Sequence, residues 1–184
     1  MKTDPLRVAA LLAYLVSWVV LVMAAIWGAL PRLRGGGRDA TITMAGTIGT
    51  LAQLCALLAV VLPTGSEPLR PMRMEMAGAL LLSPLSAWLF VWAQRSAPED
   101  GDTLVTTGAY GWLRHPIYLA FLLMLLATGF IVSAGPWLLL AVPLYVAGTE
   151  LRIASEEGEL SRQFAGQYAA YLRRTRWRYL PGLR

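Results

Sequence analysis

Long apolar stretches separated by short polar connections make up most of this chain. Five of them predict helices that cross a bilayer, whose hydrocarbon core needs about 20 helical residues. They run over Leu6–Leu30, Met44–Leu62, Glu75–Trp92, Ile117–Ser133 and Pro136–Gly148. Residues 133–136, Ser-Ala-Gly-Pro, are a turn signal between the last two stretches. We therefore expect those two helices to form a hairpin with almost no external loop.

The pattern beyond the fifth stretch is amphipathic. Leu160, Phe164, Tyr168 and Tyr171 recur at intervals of four, four and three, which predicts a helix with one apolar face. We expect it to pack on the bilayer surface or on the polar loop before the hairpin. The predicted fold is all-α, a single integral membrane domain over residues 1–184. Three transmembrane helices lie in 1–93, and the loop, the hairpin and a C-terminal amphipathic cytoplasmic helix lie in 94–184.

Composition agrees with a membrane protein. Hydrophobic residues make up 57% of the chain and charged residues only 15%, against about 45–50% and 25% in soluble domains. The first apolar stretch is too long for the core of a cleavable signal peptide, so we interpret it as a spanning helix. The pI near 9.8 does not indicate a nucleic-acid partner, because most basic residues flank apolar segments. Placing the N-terminus outside and the C-terminus in the cytoplasm puts most of the 16 Lys and Arg on the cytoplasmic side.

The polar loop before the hairpin carries the first candidate chemistry. Pro116 suits the first turn of a helix, whose free N–H groups and positive dipole end attract anions. Arg114 and His115 add side-chain donors at the same place. The alternative is that both are interfacial anchors. The chain has one His and one Cys, so a Cys/His zinc cluster is excluded; a site made of carboxylates alone is a minor alternative, and we expect no metal.

The tail carries the second candidate group. Arg152 and Glu156 are four residues apart and share a helix face, which is typical of a solvated surface pair. At a membrane interface, charged residues are more often functional. Arg173, Arg174, Arg176 and Arg178 are interpreted as contacts to anionic lipid headgroups. The loop precedes the hairpin in the chain and the tail follows it. Both lie on the same predicted side of the membrane, so we expect them to meet.

Together these segments resemble the isoprenylcysteine carboxyl methyltransferase family and, more broadly, the membrane phospholipid methyltransferases. The first part of the family signature is matched by Gly108, Tyr110, Arg114, His115, Pro116 and Tyr118. The second part is matched by Arg152, Glu156, Glu157, Leu160, Phe164, Tyr168, Tyr171 and Pro181. Thr103–Thr106 also looks like the carboxyl methyltransferases in particular. Ala165 and Ala120 depart from the pattern, because the family usually has glycine at both positions.

The resemblance implies an enzyme that uses S-adenosylmethionine without a Rossmann domain. By position, it implies that the cofactor is lined by Asp102, Thr103, Leu104, Val105, Tyr110, His115, Pro116, Ile117 and Tyr118. Glu156 would contact the cofactor from the tail and Arg152 would bind the substrate, and these two are the predicted catalytic residues. A carboxylate acceptor is already ionised near neutral pH, so methyl transfer to it needs no general base.

The predicted function is methylation of a lipophilic acceptor at the cytoplasmic face of a prokaryotic inner membrane, with membrane lipids as surroundings. Carboxyl O-methylation is preferred, and N- or S-methylation of a phospholipid or isoprenoid is the alternative. Sterol reductases, which use NADPH, share a similar Arg-His-Pro-x-Tyr element but are usually longer. A non-enzymatic membrane adaptor on the same scaffold is a further alternative.

Overall fold

A computed structural model of the chain describes residues 4–34, 44–62, 72–97 and 103–182. Five α-helices occupy most of these ranges: α1 (Pro5–Arg34), α2 (Met44–Val61), α3 (Arg73–Ser96), α4 (Pro116–Ile131) and α5 (Gly135–Arg174). A short 3₁₀ helix, Gly108–Gly111, precedes α4. Within the described ranges there is no strand, only an isolated parallel bridge between Leu113 and Trp177. The predicted all-α class is confirmed.

Four of the described helices, α1, α2, α3 and α5, are long and apolar enough to cross a membrane. Large apolar side chains on their outer faces are more than half exposed, among them Leu12, Leu51 and Leu139, as expected where hydrocarbon replaces water. The chain is therefore an integral membrane protein. With 16 residues, α4 is about 24 Å long, which is shorter than a typical span. The count of five spans and the orientation of the termini stay predictions.

The central helix of the bundle is α4, which contacts each of the other four α-helices. On one side Met124 packs with Phe90 and Leu21 of α3 and α1. On another side Leu125 packs with Ala56 and Tyr145 of α2 and α5. A helix surrounded by other helices must be apolar on every face, which explains the nearly unbroken hydrophobic sequence of α4.

The last two helices form the predicted hairpin. Residues 132–134 join them, one residue earlier than the predicted turn, and Ser133 there has a positive φ of 56°. A Cβ on Gly129 would lie 2.5 Å from Leu138, so the helices are in close contact beside the turn. Farther along, the Tyr145 hydroxyl donates to the Tyr118 carbonyl at 2.8 Å. The two helices therefore run antiparallel.

The predicted tail helix continues directly from the fifth predicted span. A span over Pro136–Gly148 and a following amphipathic helix were expected, whereas α5 is one run of 40 residues with a kink at Ala165. Residues 149–164 contain no proline and many good helix formers, so the helix continues out of the apolar region. The backbone at Ala165 has φ 31° and ψ −106°, a conformation that favours glycine. This is the position at which the family usually has glycine.

Candidate functional site

The loop before α4 is attached to the end of α3. Gly108 has a φ of +61°, and a Cβ there would lie 2.2 Å from the Ser96 hydroxyl. That hydroxyl donates to the Trp92 carbonyl at 2.8 Å and accepts the Ala109 N–H at 3.3 Å. Glycine is therefore required at position 108 both for its conformation and for the close approach.

The segment after α5 pairs with the same loop. The backbone N–H of Arg114 donates to the Trp177 carbonyl at 2.9 Å, and that of His115 donates to the Arg178 carbonyl at 2.8 Å. Tyr171, near the end of α5, donates its hydroxyl to the Tyr110 carbonyl at 2.8 Å. The loop and the tail, expected to meet, do so in the structure. These bonds hold the backbone of His115, the residue immediately before the first turn of α4, against the segment after α5.

Two adjacent carboxylates on α5 face this loop and bind different partners. Glu156 accepts a hydrogen bond from the Tyr118 hydroxyl. It also lies 3.4 Å from Nη2 of Arg152 and 3.6 Å from Nδ1 of His115. The predicted site residues Tyr118, His115, Arg152 and Glu156 are thus brought together around one carboxylate.

Glu157 contacts three basic side chains, those of Arg114, His115 and Arg178. Its Oε1 atom accepts from Arg114 Nη1 at 2.7 Å and lies 3.3 Å from His115 Nε2. Its Oε2 atom lies 3.4 Å from Nη2 of Arg178. Glu157 was not among the predicted site residues, although its position beside Glu156 in the tail motif was a usable signal. Arg178, interpreted there as a headgroup contact, is instead paired internally with Glu157 and Glu150.

His115 is buried between these two carboxylates, with 7% of its surface exposed. Burial on its own lowers the pKa of His115, but the hydrogen bonds and negative charges of Glu156 and Glu157 outweigh it. The result is a pKa for His115 above its ordinary value of 6.5. His115 therefore keeps its proton to a higher pH than a free imidazole does.

A cavity of about 460 Å³ opens at this place between the loop, the start of α4 and α5. Nine predicted site residues line it: Thr103, Leu104, Val105, Tyr110, His115, Ile117, Tyr118, Arg152 and Glu156. Pro116 does not line it, because it is buried in the first turn of α4. Asp102 lies outside the described residues. The resemblance thus predicted most of the lining of one cavity.

Seven further residues line the cavity. Arg114 was predicted as an anion-binding donor of the loop but was not in the cofactor-lining set. The other six were not predicted as site residues: Ala97, Phe121, Leu160, Gln163, Phe164 and Tyr171. Three of them, Leu160, Phe164 and Tyr171, belong to the apolar stripe of the tail, so its periodicity was a signal for this wall. Phe121 follows Tyr118 by one helical turn. Nothing in the sequence distinguishes Gln163 or Ala97.

Arg152 projects from α5 at the edge of the cavity, with a third of its side chain exposed. Its guanidinium carbon lies 5.4 Å from the centre of the Tyr118 ring, a cation–π distance. Its Nη1 atom donates to the Thr50 hydroxyl of α2 at 3.2 Å. The arrangement is a partly exposed cation held on three sides, which is suited to binding an anionic group.

The segment that carries most of this site matches a known protein family. Residues 74–162 match the profile of the isoprenylcysteine carboxyl methyltransferase family. Protein-S-isoprenylcysteine O-methyltransferase of Xenopus laevis is 36% identical over 81 residues, which is 40% of this chain and 25% of that protein. The chain thus spans about a quarter of the length of this relative. Residues 74–162, which contain His115, Arg152 and Glu156, therefore have the sequence pattern of the isoprenylcysteine carboxyl methyltransferase family, and the predicted resemblance is confirmed there.

Proposed function

We propose that this chain is an S-adenosylmethionine-dependent methyltransferase of the isoprenylcysteine carboxyl methyltransferase type. It methylates a lipophilic acceptor at the cytoplasmic membrane face, and carboxyl O-methylation is the preferred reaction. The observation that supports this most is the cavity of about 460 Å³ in which His115, Glu156 and Arg152 converge. All three lie inside the segment that matches the family.

The groups that line the cavity fit S-adenosylmethionine. The volume lies within the range of roughly 300–1,000 Å³ typical of small-molecule sites. Glu156 is suited to the cofactor's amine or ribose hydroxyls, and Arg114 and His115 to its carboxylate. Tyr110 and Tyr118 offer aromatic faces for the adenine or the sulfonium cation. When bound, the cofactor supplies a methyl group activated by the positive sulfur.

Arg152 is the group proposed to orient the acceptor. Its contacts with Glu156 and Tyr118 leave guanidinium N–H groups that can bind a carboxylate oxygen. A carboxylate is ionised near neutral pH and is itself the nucleophile, so this reaction needs no general base. The protein's contribution is then mostly orientation of the two reactants.

A second cavity supports a lipophilic acceptor. It has a volume of about 200 Å³ and lies among α1, α2, α4 and α5. Its walls are mostly apolar, with Trp18, Leu57 and Met124 among them, and Phe121 lines both cavities. An acceptor with a hydrocarbon chain can therefore occupy the apolar side while its polar end reaches Arg152.

The orientation is part of the proposal. The loop and the tail that form the site carry many of the basic residues, which favours the cytoplasm for both. We place the C-terminus inside, the N-terminus outside and the chain in a prokaryotic inner membrane, as a single domain. Fusions of green fluorescent protein and of alkaline phosphatase to the C-terminus test on which side of the membrane the C-terminus lies. Fluorescence without phosphatase activity is expected, and the reverse contradicts the orientation.

Cofactor binding is the first test of the activity. The protein purified in detergent is titrated with S-adenosylmethionine, its demethylated product and NADPH. We expect both sulfur compounds to bind, NADPH not to bind, and Glu156→Gln to weaken the binding at least tenfold. Glu150→Gln is the matched control, because Glu150 lies outside the cavity on the same helix. Binding of NADPH alone would favour a reductase, and binding of none of the three would favour an adaptor.

Methyl transfer is the second test. Tritiated S-adenosylmethionine is supplied with membrane lipid extract or with a prenylcysteine analogue, and the labelled product is treated with alkali. A methyl ester releases volatile label, whereas N-methyl and S-methyl products keep it, so the treatment separates the alternatives. Arg152→Ala should abolish turnover and leave cofactor binding intact, while Arg162→Ala, an exposed cation on α5, should do neither. Loss of cofactor binding in Arg152→Ala would contradict the assigned role.

A further inference from the structure

Helix α2 lies outside the segment that matches the family, yet it contacts the proposed acceptor-binding residue. It crosses α5 at Gly49 and Gly148, where neither position has room for a side chain. A Cβ on Gly49 would lie 2.5 Å from the Gly148 carbonyl oxygen and 2.6 Å from Cγ of Arg152. The two backbones are therefore as close as sterics allow, and this brings Thr50 to the Arg152 guanidinium.

The Thr50 hydroxyl is oriented to accept a hydrogen bond. It donates its only proton to the Gly46 carbonyl, one turn earlier on α2, at 2.9 Å. A hydroxyl has one donor and two acceptor positions, so lone pairs remain for Nη1 of Arg152 at 3.2 Å. Thr50 thus restrains the guanidinium from the α2 side, while Glu156 contacts the other terminal nitrogen at 3.4 Å.

These restraints limit the directions in which Arg152 can present its remaining donors. Holding an arginine side chain in one geometry costs conformational entropy. When the side chain is already held, the binding free energy of the acceptor does not include that cost. We propose that Thr50 is a positioning residue that fixes the Arg152 guanidinium for the acceptor, so that α2 contributes to acceptor turnover. This inference rests on the proposed function of Arg152.

A purely structural role for Thr50 predicts different behaviour. Thr50 also lines the apolar cavity proposed for the acceptor. If it only packs α2 against α5 or contacts the hydrocarbon chain there, an isosteric Thr50→Val should be neutral or favourable for the acceptor, or should affect both substrates alike. If it positions Arg152, Thr50→Val should lower kcat/KM for the acceptor by about tenfold, as expected for losing a hydrogen bond to a charged group. The dissociation constant of S-adenosylmethionine should then change by less than about twofold.

The test measures kinetics with tritiated S-adenosylmethionine and a prenylcysteine analogue, together with cofactor affinity. Thr50→Ser keeps the hydroxyl and should restore most of the acceptor kcat/KM. Thr50→Ala is a second variant that introduces no new atoms and should show the same loss as Thr50→Val. Thr128→Val is the matched control, because that hydroxyl also donates to the carbonyl one turn earlier, Met124, but lines neither cavity. In an Arg152→Lys background, Thr50→Val should have little further effect.

The outcomes separate this inference from the proposed function. Wild-type kinetics in Thr50→Val and Thr50→Ala, beside loss of turnover in Arg152→Ala, overturn the positioning role and leave the methyltransferase standing. Equal loss in Thr50→Ser and Thr50→Val, or an equal change in cofactor affinity, also overturns it. If the wild-type protein binds no S-adenosylmethionine and transfers no methyl group, the proposed function fails and this inference fails with it.

Discussion

The carboxylate of Glu157 is expected to be a main stabilising group of the cytoplasmic-side structure. It holds the loop through Arg114 and His115 and the segment after α5 through Arg178. Replacing it by glutamine keeps the shape and removes the charge. The side chains of Arg114 and Glu157 are only 9% and 16% exposed, so the guanidinium would be left without its counter-charge in a place that water barely reaches.

The expected magnitude follows from that burial. Breaking one partner of a buried ion pair costs about 3–5 kcal/mol, and we take the lower end, about 3 kcal/mol, because Glu157 retains some exposure. Each kcal/mol lowers the melting temperature by roughly 2–4 °C in a chain of this size. Glu157→Gln should therefore lower it by roughly 6–12 °C.

Glu150→Gln is the matched control for this prediction. Glu150 pairs with Arg178 at 2.7 Å, and its side chain and that of Arg178 are 36% and 28% exposed. Such an exposed pair contributes at most about 1 kcal/mol, so its loss should lower the melting temperature by no more than about 4 °C. Both variants are followed in one detergent by the intrinsic fluorescence of the tryptophans during heating. Equal shifts for the two variants would refute the reasoning from burial.

Two further predictions concern the protonation of the site and the kink in α5. His115 is the only histidine of the chain, so isotope labelling of histidine gives a single imidazole signal by NMR. The pH at the midpoint of its titration in the folded protein should lie above 6.5, and Glu157→Gln should lower this midpoint. Because the folded pKa exceeds the unfolded value, the stability contributed by this proton is fully present below about pH 6.5 and is lost as the pH rises through the folded pKa. A midpoint at or below 6.5 would contradict the assigned environment. Ala165→Gly should raise the melting temperature by roughly 2–4 °C, because glycine adopts the positive φ of 31° there without the strain of about 1–3 kcal/mol, partly offset by its greater freedom when unfolded. A lower melting temperature in this variant would show that Ala165 is unstrained.

Most of the proposed cofactor wall could be predicted from the sequence, because its residues are close together in the chain. Thr103–Val105 and His115–Tyr118 belong to a single loop and the helix turn after it, and the motif places them before any packing is known. Arg152 and Glu156 were found because a four-residue spacing puts both on one face of a helix. The sequence did not show that Phe121 lines two cavities, since an apolar residue in an apolar helix carries no distinguishing signal.

By itself, the sequence determined that the chain is helical and lies in a membrane, where α1 to α4 begin and end to within a few residues, where α5 begins, and which motif residues are candidates. These properties follow from the local order of apolar and polar residues. Only the tertiary structure decided that α5 continues unbroken to a kink at Ala165, that Glu157 contacts three basic side chains, and that Thr50 reaches Arg152. Those contacts join residues 21 to 102 positions apart, and they depend on how closely helices pack, which glycines such as Gly49 and Gly148 permit and no local pattern records.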